Sequence, residues 1–130
     1  MSADSRRTLS TGSKFETWAG YSRAVIDGDF VFVSGTAGYD FAADTIAPDA
    51  ASQARKALET IAATLAQAGA TMADIVRVRV FLTDRADVMA VSSILGETFS
   101  DPRPASTTIL CGFAMPEMKV EIEVTALKRR

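Results

Sequence analysis

The stretch "SRAVIDGDFVFVSG", Ser22 to Gly35, reads as a β-hairpin. Two runs rich in β-branched and aromatic residues flank the pair Asp27-Gly28. Gly accepts the positive φ that a type I′ turn requires, so Asp27-Gly28 is a two-residue turn signal. In the second run Phe30, Phe32 and Ser34 share one face, with Val31 and Val33 on the other. A strand pair with one apolar face needs a second layer to bury it.

The rest of the chain supplies that layer. Pro48-Asp49 starts a helix in which Ala54, Ala57, Leu58, Ile61, Leu65 and Ala68 form one apolar stripe, and Gly69 ends it. "IVRVRVFL" then alternates, with Val76, Val78, Val80 and Leu82 on one face and Arg77, Arg79 and Phe81 on the other. A second helix carries Val88, Val91, Leu95 and Phe99 at spacings of three and four, and Pro102 and Pro104 stop it. Two last strands are expected over Ala105–Phe113 and Lys119–Leu127. The order ββ-α-β-α-ββ predicts an α+β fold, with two helices covering one face of one sheet. The other face carries Phe30, Phe81, Arg77, Arg79, Glu121 and Glu123. It is too mixed for a core and too apolar for plain solvent surface, which points to a subunit interface. Cross-strand ion pairs between the two arginines and the two glutamates are the simplest use of the charges.

At 130 residues, with 48% hydrophobic and 23% charged residues, the chain suits a single domain over 1–130. Residues 1–12 are polar and read as a loose tail, apart from a short strand near Arg7–Leu9. A net charge of -2 gives no electrostatic case for nucleic acid. No run approaches a membrane span and no secretory signal opens the chain, so a cytoplasmic protein is expected. There is no histidine, which removes Ser-His-Asp and Cys-His catalysis and the usual zinc sites. The lone Cys111 sits in an apolar run and reads as a small buried hydrophobe. Neither a metal nor an organic cofactor is implied.

"YSRAVIDGDFVFVSGTAG" resembles the Y-S-x-A-V-x-x-G-x-x-(V/I)-(F/Y)-x-S-G signature of the RidA (YjgF) family. "AGATMADIVRVRVFLTD", "RPAS" before a strand and "VEIEVTA" follow in the family's order, so the resemblance runs from about residue 15 to 127. It implies a two-layer sandwich of the chorismate-mutase-like kind, a mixed sheet with two helices on one face, assembled as a homotrimer with ligand clefts between subunits. The best-known members hydrolyse enamines and imines to carbonyl compounds and ammonia. Some relatives carry an endoribonuclease label. The resemblance places Tyr21, Ser34, Gly35, Ser106 and Thr107 at the ligand, and gives Glu121 the positioning of the hydrolytic water.

One departure stands out. Deaminating members read P-A-R, and the arginine holds the substrate carboxylate; this chain reads Pro104-Ala105-Ser106. A guanidinium is a fixed, permanently charged fork, whereas a serine hydroxyl is one neutral donor. The exchange costs about 1.5–3 kcal/mol of carboxylate binding. Arg103 lies at an odd separation in an extended, proline-restricted segment, which points it to the other face. Three readings stay open: an imine or enamine deaminase of altered range, acting on a keto-acid-like, imine or neutral carbonyl ligand; a non-catalytic metabolite binder of the same fold; and an RNA-directed role.

Overall fold

The Ser22–Gly35 stretch does form a hairpin, with a different turn. The computed structural model describes residues 6–129. In it β1 (Arg6–Leu9), β2 (Ala24–Asp27) and β3 (Phe30–Ala37) run antiparallel in sequence, with Asp27 opposite Phe30. The two-residue loop is therefore Gly28-Asp29, one residue later than expected, because Asp27 is held in β2 and also faces Arg6. Gly28 has φ +60° while Asp29 keeps a negative φ, the type II′ pattern with Gly first rather than type I′.

After the hairpin come a small ribbon of β4 (Tyr39–Asp40) and β5 (Thr45–Ile46), helix α2 (Ala50–Gln67), β6 (Ile75–Leu82), helix α3 (Val88–Thr98), β7 (Ala105–Leu110) and β8 (Val120–Leu127). The main sheet has the order β1-β2-β3-β8-β6-β7, parallel only between β6 and β7, so it is mixed. Asp49 caps α2 by accepting from Ser52 N–H at 2.9 Å, and Gly69 closes the end with φ +77°.

Both helices lie on one face. Val31, Val33, Val78, Val80, Leu82, Ile122 and Val124 meet Ala54, Leu58, Ile61 and Leu65 of α2 and Val91 and Ile94 of α3 in one core. Ile94 was not in the expected stripe, and Val88 and Leu95 are only partly buried against it. Ile75, not Val76, opens the buried face of β6, because a register shift against β8 between Ile75 and Arg77 resets the alternation. The strand expected to reach Phe113 stops at Leu110, opposite the last residue of its partner β6. Cys111 is half-buried rather than buried, with its N–H on Leu82 O at 2.8 Å.

Two elements lie outside the sequence reading. Helix α1 (Lys14–Ala19) starts where Ser13 accepts from Phe15 N–H and ends on Gly20 in the left-handed conformation (φ +69°). The β4–β5 ribbon occupies what read as loop. The expected loose tail is also tied down where it is described. Arg6–Leu9 is paired strand, and the buried Glu16 carboxylate accepts from Ser10 Oγ at 2.7 Å and Thr11 Oγ1 at 2.6 Å. Residues 1–5 lie outside the described residues. Among the described residues no helix is long and apolar enough to cross a membrane.

Candidate functional site

The open face of the sheet bears a bulge at its centre. Val33 faces Val124 and Thr36 faces Ile122, so Ser34 and Gly35 together oppose the single residue Glu123. Bulges re-aim side chains and are frequent beside active sites. This one bends β3 around the carboxylate of Glu121, which faces Ala37 on β3 and Phe81 on β6. A Cβ on Gly35 would collide with the Glu121 carboxyl group, so only glycine lets that carboxylate lie against the β3 backbone.

Ser34 secures the neighbouring strand. Its hydroxyl donates to Ser22 O at 2.6 Å, and its N–H bonds Arg23 O at 3.0 Å. The chain reaches this point from α1, whose Gly20 cap turns it toward Tyr21; Gly20 and Tyr21 N–H both bond Glu16 O. Tyr21 and Arg23 are thereby set beside Gly35, with the Arg23 guanidinium 5.6 Å from the Tyr21 ring centre.

These residues border a cavity of about 290 Å³. One wall is polar: Tyr21, Arg23, Gly35 and Glu121. The rest of its lining is largely apolar and aromatic, with Phe15, Trp18, Tyr39, Phe41, Met115 and Met118. Phe15 stands edge-on to Trp18 at 5.9 Å and tilts against Tyr39 at 5.5 Å. Tyr39 O–H donates to Glu117 at 2.8 Å, and burial with that bond holds the phenol well above its ordinary range. Gln53, fully buried, fixes the methionine loop. Its amide donates to Ala47 O and Glu117 O and accepts from Lys119 N–H. Gly38 allows the close approach, since a Cβ there would meet the Gln53 backbone at 2.5 Å.

Electrostatically the site is a half-buried carboxylate facing a buried cation. Burial raises the Glu121 carboxyl above its ordinary range, the Arg23 charge pulls the other way, and Glu123 adds to the rise. Burial lowers the Arg23 guanidinium, against the pull of Tyr21, Glu16 and Glu121. Burial also raises the Cys111 thiol, with Glu121 contributing. Glu121 makes no ion pair among the described residues; Arg79 pairs instead with Glu123, at 3.3 Å, directly opposite it. Arg77 faces Thr125 and Ala105. Of the expected cross-strand pairs, one exists.

Tyr21, Ser34, Gly35 and Glu121 thus come together in a second, shallower hollow that shares Tyr21, Gly35 and Glu121 with the first. Ser106 and Thr107 do not join them within one chain. They lie on the edge strand β7, opposite Val78 and Arg79, two strands from β8. Strand spacings of about 4.8 Å and rises of about 3.3 Å put Ser106 roughly 14 Å from Glu121. Arg103 lies in the exposed turn before β7. Sequence reasoning missed Arg23, Phe15, Trp18, Tyr39 and the two methionines. The signal for Arg23 was parity: it shares the face of Val25 and stands across from Ser34. Among the described residues no group of three acidic, Cys or His side chains could hold a metal.

A mixed sheet with two helices on one face and a carboxylate seated at a bulge on the other defines a small α+β cleft protein. The family model described as endoribonuclease L-PSP matches residues 11–128. The chain is 40% identical to Rv2704 of Mycobacterium tuberculosis, a member of the YjgF/YER057c/UK114 family, with a TM-score of 0.86 over 95% of this chain and 99% of that one. It is 30% identical to the protein YjgH (TM-score 0.83, 97% and 98% covered). It is 26% identical to RidA from the Antarctic bacterium Psychrobacter sp. PAMC 21119 (TM-score 0.79, 98% and 97% covered). The chain belongs to this endoribonuclease L-PSP family, the family of YjgF and RidA.

Proposed function

We propose that the chain hydrolyses the C=N bond of small imines or enamines to a carbonyl compound and ammonia, with Glu121 as the residue that positions and activates water. The observation that carries this reading is the Glu121 carboxylate itself: half-buried, seated over Gly35, unpaired with any described cation and raised by burial. A carboxylate so placed is a stronger base than one in water. It takes a proton from water as the oxygen attacks the iminium carbon. Glu121 passes that proton to the nitrogen of the carbinolamine and then takes the hydroxyl proton as the C=O bond forms; the C–N bond breaks with its electron pair on nitrogen, and ammonia leaves carrying that last proton as ammonium.

The open face and the edge strand support a closed assembly. Phe30 and Phe32 are stacked at 5.8 Å and about 44% exposed, and Ile109 and Leu110 are exposed on β7. Apolar exposure on a sheet face and on an unpaired edge is a docking surface. In a cyclic trimer a neighbour's β7 would bring Ser106 and Thr107 to the cleft beside Tyr21. With serine in the anchor position, small 2-imino carboxylates lose their charged grip there.

The test is release of ammonia from imines generated in place from a panel of amines and amino acids. Hydrolysis faster than in buffer for at least one imine is expected. A panel on which the protein, intact and assembled, accelerates none would overturn the reading and leave a metabolite binder.

A further inference from the structure

We propose that Arg23 is the anion anchor of the cavity, placed to hold the carboxylate of an acid whose bulky apolar body lies against Phe15, Trp18 and Tyr39. The inference rests on the hydrolytic reading only for the bond that is cut. The binding it asserts is measured without turnover.

Arg23 is 3% exposed, yet among the described residues no carboxylate lies within ion-pair distance of it. Buried charges are costly unless paired, so a lone buried guanidinium needs an explanation. A guanidinium offers five N–H donors. Its one hydrogen bond among the described residues runs from Nη2 to Gly35 O at 2.6 Å. Nε is buried and has no acceptor. Nη1 also has none among the described residues but, unlike Nε, is not sealed off, and Arg23 lines the cavity. The two carboxylates that feel its charge are Glu16 and Glu121. Glu16 is occupied by Ser10 and Thr11. Glu121 lies against the Gly35 backbone and outside ion-pair distance of the guanidinium.

The bond to Gly35 O and the Tyr21 ring keep the guanidinium plane in place before a ligand arrives. Such preorganisation is what makes an arginine a good carboxylate receptor. Arg23 and Glu121 border the same cavity, so an acid held at Arg23 would present its neighbouring C=N carbon toward Glu121. The aromatic wall sets the other end of the ligand. At about 290 Å³ the cavity matches the lower end of small-molecule sites, roughly 300 Å³. The charged anchor lost at Ser106 is thus supplied from the chain's own side of the cleft.

Calorimetry on the full chain tests this with three probes: phenylpyruvate, its neutral methyl ester, and pyruvate, which lacks the apolar body. Phenylpyruvate is expected to bind about ten- to hundredfold tighter than its ester, the range of a charge-assisted hydrogen bond, and tighter than pyruvate. Arg23→Gln removes the preference for acid over ester while leaving ester affinity within about threefold, and Arg23→Lys restores part of it. Should Arg23→Gln fail to fold, Arg23→Lys and the acid-to-ester ratio of the unaltered protein decide the matter: an acid preference that stays nearly constant with salt fits the buried Arg23, and one abolished by salt points to an exposed cation and overturns the proposal. Equal binding of acid and ester, an acid preference that survives Arg23→Gln, or no phenylpyruvate binding at millimolar concentration would each overturn the proposal. Glu121→Gln separates the two readings. Acid binding that is kept or tightened with turnover abolished supports both. Turnover of neutral imines with no acid preference keeps the hydrolytic reading and removes Arg23.

Discussion

The two faces of the sheet are made from alternate residues of the same strands, and they differ in almost every physical respect. On β3, Val31 and Val33 point into the helix layer and are buried, while Phe30 and Phe32 point away and stay exposed. On β8, Val120, Ile122 and Val124 are buried and Glu121 and Glu123 are not. The covered face of the sheet is aliphatic but for the buried Thr36, whose hydroxyl donates to Ser34 O. The open face holds a bulge, a half-buried carboxylate, a buried arginine and an ion pair within a few residues of each other. The stable face can tolerate the costly one because the strands are shared. Function sits where the alternation is polar and the backbone irregular.

Substitutions of adjacent residues sharpen that contrast. Val33→Asp places an unpaired charge in the core, a loss of the order of 4–5 kcal/mol or more. That rivals the whole stability of a small domain, so the chain should not fold, as circular dichroism would show. Phe32→Glu, one residue away, should leave the subunit folded and shift the species in solution from the proposed trimer toward monomer, read by light scattering. A variant that stays trimeric, or that unfolds like Val33→Asp, erases the distinction between the faces.

Gly35→Ala addresses the bulge. The added methyl meets the end of the Glu121 side chain, which can swing away. Stability should therefore change by less than about 1 kcal/mol, while turnover falls about a hundredfold as the carboxylate leaves its position. Unchanged turnover would show that the seat over Gly35 is incidental. The smallest effect is expected for Arg79→Ala. Its pair with Glu123 is largely solvent-exposed, and such pairs contribute about 0.2–1 kcal/mol. A loss well above that, by urea titration, would make the ion pair part of the machinery.

The covered face was legible in the sequence because burial there follows strict periodicity. The stripe of α2 and the alternation in Val78, Val80 and Leu82 appear as written. Where the reading slipped, a tertiary constraint had intervened. Ile75 replaces Val76 because of a register shift against a strand far along the chain. Helix α1 was too short for a period, though Ser13 followed three residues later by Glu16 is a capping signature. Glu121, Tyr21, Ser34 and Gly35 were found through family resemblance, and the single chain brings them together. Arg23 was not found, since a charged residue before a strand gives no sign that it will be buried. The role of Gly35 needed the Glu121 carboxylate, which only the fold sets beside it.

Glu121→Gln, assayed for both turnover and stability across pH, bears on the whole account. A carboxyl raised in the folded state binds protons more readily there than in the unfolded chain. The charged form is thus a burden on stability, one that is relieved as pH falls toward the ordinary carboxyl value of 4.5 and grows as pH rises through the elevated folded value. The glutamine variant should be at least as stable as the unaltered protein at neutral pH and should lose that pH dependence. Its turnover should drop about 10²–10⁴-fold, the range for general-base assistance. On the hydrolytic reading, the acid limb of turnover in the unaltered protein should lie above the ordinary carboxyl range. A glutamine variant that keeps full turnover, or one that is destabilised at neutral pH with turnover unchanged, would contradict the assignment of Glu121 as the base of the open face.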